Sequence, residues 1–246
     1  MLILVGVGAA AGVINVLAGG GSMLTVPVLI LLGLPPTVAN GTNRVAILVQ
    51  NIGAAASFRR RGMMEAGWLG LMGPPAVLGA LLGTWIATII DDASFQRVLA
   101  VVMILIAAYT LWDPVKGKAS PGALDPDRHP LGRTGLRVAF FLVGVYGGFI
   151  QIGVGFIVLA LALSAGLDLV RGSALKVLLV LVYTIPALAL FALSGKVDWP
   201  TGIALAVGNL AGALIGVRLA IRAGHVWIKR FVTLAVLVLA GRLLFF

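Results

Sequence analysis

The sequence predicts an all-α polytopic membrane protein of two inverted repeats, each a broken re-entrant helix pair followed by three transmembrane helices. Three observations lead there. Of its 246 residues, 61% are apolar and 11% charged, against about 45–50% and about 25% in a soluble domain, which excludes a water-soluble globule. Gly79-Ala80-Leu81-Leu82-Gly83 returns 133 residues later as Gly212-Ala213-Leu214-Ile215-Gly216. The basic residues, Arg44 and Lys176 set aside, divide thirteen to three between the two faces only if the first apolar stretch of each half leaves on the side it entered; eight simple crossings divide them ten to six.

In chain order the apolar stretches lie near 2–32, 37–57, 66–90 and 95–112, then near 137–164, 170–193, 200–220 and 226–246. The first twenty residues carry no basic n-region and are expected to belong to the mature fold. A continuous helix over the first stretch would run about 46 Å, against a hydrocarbon core of about 30 Å. Gly19-Gly20-Gly21-Ser22 with Pro27 supplies a break there. Gly147-Gly148, Gln151, Gly153 and Gly155 supply its counterpart. Each stretch is then expected to form two half-helices that enter and leave on one face, so three net crossings per half invert the second half relative to the first. Residues 113–135, with Pro114, Pro121, Pro126 and Pro130, read as a cytoplasmic linker between a first repeat at 1–112 and a second at 136–246. The residue pairs Gly79/Gly83 and Gly212/Gly216 read as helix packing faces.

Composition narrows the chemistry. With no cysteine and only His129 and His225, thiol chemistry and Cys- or His-rich metal sites are excluded, and no cofactor is expected. The eight acidic residues fall in loops or at span ends, which leaves no base or nucleophile for an enzyme inside the membrane. The net charge of +10 belongs to the loops of a membrane protein rather than to a nucleic-acid surface. The partners expected are a small anionic substrate and the lipid bilayer, with a homodimer as an optional assembly and no nucleic acid.

Two cations stand inside spans at matching places of the repeat once a one-residue gap is allowed, Arg44 and Lys176. An ionisable residue within the membrane is by default a functional one, although one near its helix start can also snorkel to the headgroups. No acid sits deep enough to neutralise either, so an anionic substrate is the expected counter-ion. The candidate site gathers Gly20, Gly21 and Ser22 at the first break, Thr42 and Asn43 beside Arg44, and Gln151 and Gly153 beside Lys176. Half-helix starts present unpaired N–H groups and a positive dipole end, which suits an oxyanion. Asn15, Gln50, Asn51 and Asn209 either line a polar path or bond between helices.

Gly19-Gly20-Gly21-Ser22 with Pro27, Gly33-Leu34-Pro35-Pro36, Gly41-Thr42-Asn43-Arg44 and Phe58-Arg59-Arg60-Arg61-Gly62 resemble the TauE/SafE sulfite exporter family. Gly147-Gly148-Phe149-Ile150-Gln151-Ile152-Gly153 and Ala174-Leu175-Lys176 extend the resemblance through the second half. It implies a secondary transporter in a prokaryotic inner membrane, a probable exporter of a small sulfur oxyanion such as sulfite or an organosulfonate. An anion channel and a carrier of a non-sulfur anion are the alternatives.

Overall fold

The computed structural model describes residues 1–17, 19–63, 67–112 and 131–222. Most of the expected linker, the loop at 224–227 and the last apolar stretch at 226–246 lie outside the described residues. Nine α-helices occur among the described residues: α1 (Leu2–Leu17), α2 (Ser22–Leu31), α3 (Pro36–Arg59), α4 (Gly67–Ile89), α5 (Asp92–Trp112), α6 (Gly132–Phe149), α7 (Val154–Ser164), α8 (Leu169–Leu193) and α9 (Trp199–Arg222). Helix α6 begins at Gly132, so the last residues assigned to the linker form its first turn.

Both long apolar stretches are broken, between α1 and α2 and between α6 and α7. Gly19 at φ 84° and Gly153 at φ 72° adopt the left-handed conformation that stops a helix and that glycine takes without penalty. Pro27, expected to help break the chain, instead sits inside α2. Short turns at Gly33 and Gly166, also at positive φ, reverse the chain into α3 and α8. Asp168 caps α8 by accepting from the Val170 and Arg171 N–H groups. Asp198 caps α9 through Thr201, and Asp91 opens α5 through Ser94. The Ser94 N–H and hydroxyl hold the Asp91 carboxyl below its usual range. The Thr201 hydroxyl and N–H do the same for Asp198. The stability that the Asp91 and Asp198 carboxylates contribute is present above the ordinary aspartate pKa and is lost as the pH falls through their lowered values.

Helices α4, α8 and α9 (to Ala220) are long and apolar enough to cross a membrane. Helix α3 has the length, with 24 residues rising about 36 Å, but not the composition. Its Asn40, Asn43, Arg44, Gln50 and Asn51 are all buried against protein.

Two close interfaces tie the halves together. A Cβ at Gly79 would run into the Phe141 carbonyl, one at Gly83 into the Val145 carbonyl, and one at Gly144 into the Ala76 carbonyl. Helices α4 and α6 therefore run side by side in the same direction. Gly208 meets Val5, Gly212 meets Ala9 and Gly216 meets Val13, which makes α1 and α9 a second such pair. Gly202 against Val45 and Gly53 against Leu210 set α3 in the same direction as α9. Phe191, near the end of α8, lies against Gly41 near the start of α3, so these two helices oppose. The small-residue repeats are packing faces, as small residues four apart permit.

Gly79→Val or Gly212→Val is expected to destabilise the purified protein by about 1–3 kcal/mol, since the added carbons press on backbone that cannot yield. Gly70→Ala, with nothing within 4 Å of its new carbon, is the comparison expected to cause no loss in thermal unfolding.

Candidate functional site

Arg44 is eight residues past the start of α3 and Lys176 seven past that of α8, about 10–12 Å into each helix. Both are enclosed, at 0% and 3% exposure, so neither snorkels to the surface. Each reaches instead the end of the first helix of the other half. Lys176 Nζ donates to the carbonyls of Asn15 and Val16 at 2.9 Å each, in the last turn of α1. Arg44 Nη2 donates to the carbonyls of Gly147, at 3.0 Å, and Gly148, in the last turn of α6. Those carbonyl pairs are 132 residues apart, as are the helix ends Leu17 and Phe149. Two further groups complete the cap on α6, with Thr84 Oγ1 donating to the Gly148 carbonyl and Asn40 Nδ2 to the Phe149 carbonyl.

A helix C-terminus carries about half a negative charge, so each end balances only part of the full positive charge it meets. A positive remainder stays in the protein beside each break. Arg44 spends it on the Phe191 ring, 4.8 Å from its Cζ, and on Gln151 Oε1, which accepts from Nη1 at 2.8 Å. Gln151 is held from behind, its Nε2 donating to the Tyr183 hydroxyl.

Lys176 faces a cavity lined also by Asn15, Gly19, Ser22, Asn51, Gln151, Val154 and Gly155. Its interior is ≈ 10 Å³ to the centre of a water-sized sphere, the room of about one water. A lysine ammonium has three donors, of which the α1 carbonyls take two. Asn51 Nδ2 is buried without a partner among the described residues. Ser22 Oγ accepts from Asn43 Nδ2, which leaves its own proton to donate. Val154 and Gly155 open α7, where the first N–H groups of a helix have no partner within it. No acidic side chain lines the cavity among the described residues.

Of the residues expected to form the site, Ser22, Gln151 and Lys176 line this cavity together. Arg44 joins it only through Gln151. Asn43 is occupied in fixing α2, accepting from Thr25 Oγ1 at 2.6 Å and donating to Ser22. Thr42 turns elsewhere, accepting from the Asp198 N–H in the turn before α9. A Cβ at Gly20 would meet the Phe156 ring, one at Gly21 the Ala11 carbonyl and one at Gly153 the Ile106 side chain, so these glycines serve packing of the breaks. Gly19 and Gly155 lie backbone to backbone, so the two breaks touch each other. Asn51 and Asn15, for which the sequence left open a polar path or bonds between helices, line the cavity.

A lysine at position 44 cannot reproduce the fork that serves two carbonyls and an amide oxygen at once. Arg44→Lys is therefore expected to lower stability by roughly 1–3 kcal/mol, read by thermal unfolding in detergent.

The family model described as sulfite exporter TauE/SafE matches residues 4–243. A probable membrane transporter protein of Haemophilus influenzae is 29% identical over 249 residues, covering 100% of this chain and 94% of that protein. The probable membrane transporter protein YfcA of Escherichia coli K12 is 30% identical over 236 residues, covering 96% of this chain and 86% of its own. A Sinorhizobium probable membrane transporter protein, ORF9, is 31% identical over 243 residues, covering 95% and 88%. No solved structure matches the chain significantly.

Proposed function

Since the chain belongs to the TauE/SafE family of membrane transporters, we propose that it is a secondary transporter exporting a small sulfur oxyanion, such as sulfite or an organosulfonate, across a prokaryotic inner membrane. One observation carries this reading: the Lys176 cavity gathers an ammonium, an amide N–H, a hydroxyl and a helix N-terminus, with no acid among the described residues that line it. Such a donor set matches the acceptor oxygens of an oxyanion and repels a cation. The family description supplies the sulfur chemistry.

The halves in this reading are inverted repeats. Helices α1, α3 and α9 run one way, and α8 runs the other, facing α3. The end of α6 meets Arg44 near the start of α3, which sets α6, and α4 beside it, with α8. The equivalent pairs α1/α6, α3/α8 and α4/α9 are thereby opposed. Ser22 and Thr25, at the start of α2, bond to Asn43 partway along α3, and α2 closes onto the start of α3 through the Gly33 turn. Helix α2 therefore retraces the path of α1, as a re-entrant pair does. The two breaks touch at Gly19 and Gly155, and this reading puts them near mid-depth, where transporters of this plan hold their substrate. The α3 end with Arg59, Arg60 and Arg61 is cytoplasmic on the charge rule.

Sulfite binding to the purified protein, followed by flux in proteoliposomes, tests the function. Lys176→Ala is expected to weaken binding by roughly 1.5–3 kcal/mol and Asn51→Ala by about 1 kcal/mol. Thr42→Val, at a position whose hydroxyl accepts from the Asp198 N–H and which does not line the cavity, should leave affinity unchanged. Equal affinity in the parent and Lys176→Ala would remove the cavity from consideration.

Topology is tested separately. A thiol at Arg60→Cys should react only from the cytoplasm and one at Ser194→Cys only from outside, both positions being exposed. Labelling of both from the same side would break the inverted plan.

A further inference from the structure

The two halves treat their cations alike up to one point. Each cation covers the last carbonyls of the first helix of the other half, and each has donor capacity left over. At Lys176 that capacity meets open space. At Arg44 it meets the amide oxygen of Gln151, an oxygen acceptor placed at 2.8 Å where an oxyanion oxygen would stand.

The breaks explain the difference. Helices α1 and α6 end at Leu17 and Phe149, and α2 and α7 begin at Ser22 and Val154. The intervening segments are therefore equal in length, and the second residue of each is Gly19 in the first half and Gln151 in the second. A glycine leaves the space beside Lys176 empty, and a glutamine fills the space beside Arg44. Other groups repeat as well. Asn51, the unpartnered donor in the open cavity, corresponds to Tyr183 in the register that pairs Arg44 with Lys176, 132 residues on, and the Tyr183 hydroxyl accepts from Gln151 Nε2. Arg44 Nε is buried with no partner among the described residues. A buried guanidinium N–H without an acceptor is costly. It marks a place built to hold an acceptor that Gln151 only partly replaces.

We propose that Arg44 is the donor of a second oxyanion half-site, and that the Gln151 amide is a tethered stand-in for the substrate that keeps it shut while the Lys176 cavity is open. Gln151 lines the cavity and bonds to Arg44 at once, so its withdrawal from Arg44 opens one half-site from within the other. This rests on the reading of the Lys176 cavity as a substrate site, and adds to it a second position for the same anion.

The test is the stoichiometry and affinity of sulfite binding to the full-length purified protein. The parent is expected to bind one sulfite, and Lys176→Met to lose that binding by at least tenfold. Gln151→Gly, which makes the two breaks alike, should bind two. The double variant Lys176→Met/Gln151→Gly should regain one, and adding Arg44→Met should abolish it. Gln151→Ser, which keeps a polar group but is too short for Arg44, repeats the measurement should the glycine variant unfold. A folded double variant that binds no sulfite, beside a parent that does, overturns the second half-site and leaves the Lys176 cavity standing. A parent that binds none removes the cavity reading and this proposal together.

Discussion

A helix that ends inside a membrane exposes carbonyls that no water can reach, each costing several kcal/mol if left alone. The architecture depends on how that cost is met at the ends of α1 and α6. The Asn15, Val16, Gly147 and Gly148 carbonyls are met by a buried cation from the opposite half, and the Phe149 carbonyl by Asn40. The exchange is mutual. An ammonium or guanidinium removed from water also costs several kcal/mol without partners, and a helix C-terminus is the neutral structure best able to receive it. Each break thus draws the partners of its carbonyls from the facing half.

That mutual dependence shows which part of the site was readable in the sequence. The breaks were legible because they follow from length and glycine placement, and the helices stop where Gly19 and Gly153 take positive φ. The cations were legible as a pair because they stand at similar depths in α3 and α8, eight and seven residues past the helix starts. Their acceptors were not, since Gly148 lies 104 residues from Arg44 and backbone carbonyls leave no mark in a sequence. The side chains of Thr42, Asn43 and Arg44 diverge for a geometric reason. Successive helix residues point about 100° apart, so Thr42 meets the turn before α9, Asn43 meets α2 and Arg44 meets α6. Three adjacent donors on a helix cannot face one ligand. Asn51, two turns beyond Arg44, reaches the cavity that its sequence neighbours suggested for others.

The polarity of one span has the same origin. Helix α3 is too polar by composition to count as a crossing, yet its amides and its guanidinium all face protein. A span assigned from mean hydropathy assumes that lipid surrounds it. One enclosed by α2, α6, α8 and α9 obeys the rule for a protein interior, in which polar groups are admitted where partners exist. The orphan amide atoms of Gln50 and Asn209 lie in this same interior.

Two kinds of contact divide the molecule. The α1/α9 and α4/α6 interfaces are backbone against backbone, with glycines that leave no room for a Cβ, and dispersion across such surfaces is lost steeply with separation. Each joins a helix of one half to a helix of the other, so neither half can shift as a rigid body without opening both. The breaks are held differently. Ser22, Thr25 and Asn43 fix the start of α2, and Gln151 links the second break to Arg44 and Tyr183. Hydrogen bonds of this kind are exchanged for others at a net cost near 1 kcal/mol, whereas separating close-packed backbones opens a void. The packed pairs form the frame, and the exchangeable bonds gather where the two breaks touch.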